Sequence, residues 1–126
     1  MLKNLNDVAD FMKRQRLASL ATVDTNGKPH VVPVWFTHND GIVFVQTDRN
    51  SVKVRNIKLH SSVAIAAYGD EEAVIVRGEA RVIEDNEEFI KRTQQHIKKY
   101  NLRLDEQGRD SMGIPLYNSR IRCVVE

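Results

Sequence analysis

A chain of 126 residues, 41% hydrophobic and 29% charged, fits one compact domain with a real core and excludes fibrous and membrane-spanning classes. The net charge of +2 is too small to make nucleic acid the main partner, so any basic function must be local. The single cysteine, Cys123, forbids an intramolecular disulfide and fits a reducing, cytoplasmic setting. In chain order, the first stretch, MLKNLNDVADFMKRQR, is interrupted by charges and lacks the apolar centre of a signal peptide. No run approaches the roughly 20 apolar residues of a membrane span.

Residues 5–14 carry Leu5, Val8, Phe11 and Met12 at helical spacing, with Asn4 or Asn6 as cap. The period then changes. Leu17 to Val23 is a short apolar run with small residues on both faces, as in a strand covered on two sides. Asn26-Gly27 signals a hairpin, Pro29 to Thr37 returns, HNDG turns again, and Ile42 to Thr47 forms a third strand. In NSVKVRNIKL, with Asn50 or Ser51 as cap, the spacing predicts one to two turns of helix. Ser62 to Gly69 is a fourth strand and Glu72 to Asp85 a long fifth. The even positions Val74, Val76, Gly78, Ala80 and Val82 make one apolar face, and Gly78 marks a bulge or a barrel corner. A helix is expected over about Glu87 to Tyr100, capped by Asp85 or Asn86, with Phe89, Ile90, Ile97 and Tyr100 facing inward. Residues 101–119 read as loop, and RIRCVVE closes the chain as a strand in which Cys123 is a small buried hydrophobe. About six strands joined mostly by tight turns predict a mainly β fold with flanking helices, an antiparallel barrel spanning 1–126 as a single domain.

Metalloprotease, phosphate-loop, nucleophile-elbow and paired-cysteine motifs are missing. His30, His38, His60 and His96 lie on separate elements and read as surface histidines, His30 the least securely; no metal site is expected. The acidic pairs fall in turns and helix starts, where capping explains them. The concentrated signal is Thr47 to Lys58. Hydroxyls at Thr47 and Ser51 precede Lys53, Arg55 and Lys58 at the start of a helix, and Arg49 lies between. A phosphate takes hydroxyl and amide donors together with compact and forked cations. The same spacing also suits a solvated basic helix. Pro33, within VVPVW, cannot donate to a sheet ladder; it marks an edge where a flat ring could meet unpaired backbone, with Trp35 as shield or as core.

Together, RLASLATVDTNGKPHVVPVWF, DGIVFVQT, NSVKVRNI, VAIAAYG and VIVRGEARVIED resemble the split-barrel flavoproteins related to pyridoxamine 5′-phosphate oxidase, in order and spacing, over about residues 5–100. The resemblance implies a six-stranded antiparallel Greek-key split β-barrel of the flavin mononucleotide (FMN) type, a homodimer with two cofactors at its interface, and a small-molecule substrate and electron donor. The family's Ser-x-Lys-x-Arg-Asn segment maps onto Ser51, Lys53, Arg55 and Asn56, with Lys53 first and Arg55 second as phosphate ligands. Its ring contacts map onto Val32, Pro33 and Val34. Gln46 and Thr47 map near the ring and ribityl chain. Arg77 and Arg120 are candidates to complete the partner's site. SRIRCVVE departs from the substrate-phosphate motif of the vitamin B6 oxidases, which puts that activity in doubt. The implied function is an FMN-binding oxidoreductase. The alternatives are a deazaflavin-dependent reductase on the same fold, or a non-catalytic flavin- or haem-binding protein.

Overall fold

A computed structural model describes residues 2, 4–39, 41–83, 87–103 and the backbone of 120–125. Among the described residues, three helices, α1 (Leu5–Arg14), α2 (Val52–Leu59) and α3 (Glu87–Tyr100), accompany seven strands. These are β1 (Ala18–Val23), β2 (Pro29–Val34), β3 (Phe36–Asn39), β4 (Ile42–Asp48), β5 (Ser62–Tyr68), β6 (Ala73–Ile83) and β7 (Arg120–Val125). The order is β2-β1-β5-β6-β7-β4-β3, antiparallel at every pairing.

The two outermost strands of that order, β2 and β3, are consecutive in the chain and separated only by Trp35. Two long segments therefore belong to both halves of the barrel. Residues 29–34 pair with β1 and residues 36–39 with β4. On the other side, Ala73 to Glu79 of β6 pair with β5, and Ala80 to Ile83 pair with β7. The expected single strand over Pro29 to Thr37 is thus two strands, which makes seven among the described residues. Gly78 sits just before the change of partner. Its ladder runs on without a bulge, so the corner reading holds and the bulge does not.

The interior follows from period-2 alternation. Leu20, Val34, Phe36, Val43, Val45, Ile65 and Ala67 are buried in one cluster, with Val32, Val74, Val76 and Val82 packed on it. α1 adds Phe11 and Met12, capped by Asn4, whose side chain accepts from Asp7 N at 2.9 Å. α2 adds Val54 and Ile57 at the opposite end of β1, where Asn56 Nδ2 donates to Thr22 Oγ1 at 3.0 Å. The first hairpin turns through Asp24 to Lys28. Gly27 takes φ 78, and Asp24 Oδ1 accepts from the amides of Asn26 and Lys28.

α3 lies on the outside of β3, β4 and β7. Phe89 packs with Phe44 and Ile83, and Arg81 of β6 reaches Glu88 through two hydrogen bonds of 2.9 and 2.7 Å. The inner face of α3 differs from expectation. Ile90 is exposed, whereas Arg92, Thr93 and His96 are buried beside Phe89 and Tyr100. His96 is therefore not a surface histidine: it is 3% exposed and rests against Trp35 and Tyr100. The proposed caps Asp85 and Asn86, most of loop 101–119, and the side chains of Arg120 and Cys123 lie outside the described residues.

Candidate functional site

The basic segment opens where β4 ends. Asp48 O accepts from Ser51 N at 3.1 Å, which turns the chain, and Ser51 then caps α2 by accepting from Val54 N. Thr47 Oγ1 and Ser51 Oγ lie 3.1 Å apart. The first-turn amides of Val52 and Lys53 have no helical acceptor, and no acidic side chain stands in that turn. Lys53 is half-buried in the first turn; Arg55 is exposed one turn along from Ser51. Two hydroxyls, free amides, the positive end of a helix dipole and two cations are thereby gathered in one stretch, which suits an oxyanion.

Asn56 is turned the other way. It is 5% exposed and its amide is engaged with Thr22, so it fastens α2 to β1. Gln46 also stands apart from Thr47, because neighbouring strand residues point to opposite faces. Thr47 is buried on the α2 side. Gln46 shares the outer face with Ile42 and Phe44, and its Oε1 is buried without a hydrogen-bond partner.

On β2, Val32 and Val34 point into the core and only Pro33 points outward, opposite Ser19. Val34, which is buried, can therefore meet a ligand only through backbone, and Val32 is partly buried against the core. β2 ends the strand order, so one side of it carries no ladder, the position at which proline is tolerated. The outer face of β2-β1-β5-β6 is apolar and open. Small residues Ser19, Ala21, Ala64 and Ala66 run across its middle in register. Val31, Tyr68 and Ile75 flank them at 61%, 60% and 64% exposure. Arg77, opposite Ala64, shares this face.

The profile of the pyridoxamine 5′-phosphate oxidase family matches residues 6–118. The chain belongs to this family. Its split barrel is also that of several solved structures. A conserved hypothetical protein of Mycobacterium tuberculosis superposes with a TM-score of 0.83 at 21% identity, covering 100% of this chain and 81% of its own. The heme storage protein HutZ of Vibrio cholerae gives 0.78 at 18%, covering 99% and 90%. An F420 reductase gives 0.72 at 22%, covering 93% and 90%. No protein of curated function matches in sequence. At these identities the structures speak for the fold alone, so membership of the pyridoxamine 5′-phosphate oxidase family leaves the cofactor open.

Two further groupings join residues distant in the chain. Trp35 stacks on Tyr100, with Arg16 over both rings. Between α1, β3 and α3, a cavity of about 450 Å³ is lined by Lys13, Thr37, His38, Asn39, Gln95, Lys98 and Lys99. Burial, with Lys13 and Lys99 nearby, holds His38 below the ordinary histidine range. Burial, and then Arg16, lower Lys99 to about 8. Neither residue belongs to a recognisable motif. Lys99 reads in the sequence only as a charge suited to a helix C-terminus.

Proposed function

We propose that the protein is an FMN-binding oxidoreductase, acting as a homodimer with the whole chain as one cofactor-binding unit. The observation that carries this reading is the start of α2. Ser51 caps it, Thr47 adds a second hydroxyl, Lys53 and Arg55 supply charge, and the first turn carries no acidic side chain. Lys53 and Arg55 would hold the phosphate by charge-assisted hydrogen bonds, and the free amides of Val52 and Lys53 would add donors. The open backbone edge of β2 beside Pro33 is a wall for a flat ring. When bound, the flavin supplies the electron or hydride chemistry, and the protein's part is anchoring, orientation and exclusion of water. The exposed apolar face of β2-β1-β5-β6 supports the dimer, and Arg77 on that face is placed to reach a partner's site.

A deazaflavin is the second reading. It is favoured by the likeness to an F420 reductase, and the same phosphate anchor serves both cofactors. Titration of the purified protein with FMN and with a deazaflavin, followed by fluorescence, tests the reading. Saturable binding of FMN, near one per chain, is expected. Saturation by the deazaflavin alone would transfer the site to the second reading. A Soret band on haem addition, without flavin binding, would overturn both.

A further inference from the structure

We propose that the cavity between α1, β3 and α3 is a binding site for a phosphate monoester, separate from the α2 site. None of its lining residues comes from α2, β1 or β2. Among the described residues, the lining carries Lys13, Lys98 and Lys99 and no carboxylate. Three lysines with no described carboxylate around a concave space favour an anion.

The second observation is a pair of unsatisfied polar groups. Thr37, on the face of β3 it shares with Phe44, is 5% exposed, yet its Oγ1 has no hydrogen-bond partner; nor has the buried Nδ1 of His38, on the other face of the same edge strand. Buried polar groups are rarely left so without a ligand or water to serve them. Lys99 is already aimed. Its ammonium donates to Phe36 O at 2.8 Å and to Met12 O at 3.3 Å, which leaves one N–H for a further acceptor. The lining amides of Asn39 and Gln95 add donors. A phosphate monoester, with three terminal oxygens and up to two negative charges, matches three lysines better than a singly charged carboxylate does.

His38 is a built-in reporter. The charged groups facing it are Lys13 of α1 and Lys99 of α3, with Lys98 also on the lining. A bound dianion reverses that field, and proton and anion then favour one another reciprocally. The test follows the His38 imidazole by NMR against pH, in inorganic phosphate and in chloride of equal ionic strength. His38→Gln assigns the signal. Phosphate is expected to raise the His38 midpoint by about one unit, a tenfold change in proton affinity. The effect should vanish in Lys13→Ala/Lys98→Ala and shrink in the isosteric Thr37→Val. It should persist in Lys53→Ala/Arg55→Ala, which separates it from the α2 site. Identical titrations in phosphate and chloride, retention of the effect in Lys13→Ala/Lys98→Ala, or its loss in Lys53→Ala/Arg55→Ala would each overturn the proposal.

Discussion

Trp35 lies parallel to Tyr100, their ring centroids 4.3 Å apart and the planes 8° from coplanar. This stack sits at the break between β2 and β3, where the strand leaves one half of the barrel for the other. Tyr100 Oη holds that break directly. It accepts from Phe36 N at 3.0 Å and lies within hydrogen-bond distance of Arg16 O and Phe36 O. Tyr100→Phe keeps the stack but strands the buried Phe36 amide, so it should cost about 1–3 kcal/mol. Urea unfolding should show a lower midpoint with an unchanged slope.

Asn56 and Thr22 form a buried side-chain pair that joins α2 to β1. Asn56→Ala should destabilise by about 1–3 kcal/mol, since Thr22 Oγ1 then lies buried without its donor. Asn56→Ala/Thr22→Val should lose less stability than the sum of the two single variants' losses, as measured by a double-mutant cycle. Strict additivity would mean that the pair does not act as a unit.

Lys99 gives a pH signature. Its folded value of about 8 lies below the ordinary 10.5, so the unfolded chain binds this proton more tightly. Stability from this group therefore rises with pH between about 8 and 10.5, and its penalty is fully present below 8. Over that window the wild type should gain stability relative to Lys99→Met, read by thermal melts at matched ionic strength. A parallel pH dependence of the two proteins would contradict this.

Ile75 stands exposed on the apolar outer face, opposite Ala66. If that face is the dimer contact, Ile75→Asp should give a monomer by analytical ultracentrifugation and weaken FMN binding. The far-ultraviolet circular dichroism should stay unchanged. A dimer that survives the substitution would move the contact elsewhere.

Much of this fold is written in alternation. The even positions of β6 point inward as the sequence implies, and α1, the Ser51 cap and the Gly27 turn all stand where local chemistry puts them. What escapes is set by distant partners. Trp35 divides an unbroken apolar run because Tyr100 and Arg16 meet it there. α3 buries Phe89, Thr93, His96 and Tyr100, a regular helical stripe that a search for apolar residues alone passes over. The candidate site shows the same division. Ser51 and Lys53 follow from helix-start logic. The inward turn of Asn56 depends on Thr22, and the separation of Gln46 from Thr47 depends on which face of β4 the helices cover.

The central claim is that the start of α2 grips a phosphate. Its most direct measurement is the ratio of FMN to riboflavin affinity, in the wild type and in Lys53→Ala/Arg55→Ala. The wild type should prefer FMN by at least about tenfold, ~1.4 kcal/mol, and the double variant should lose most of that preference while still binding riboflavin. Equal affinities for FMN and riboflavin in the wild type, or an undiminished preference in the variant, would contradict it.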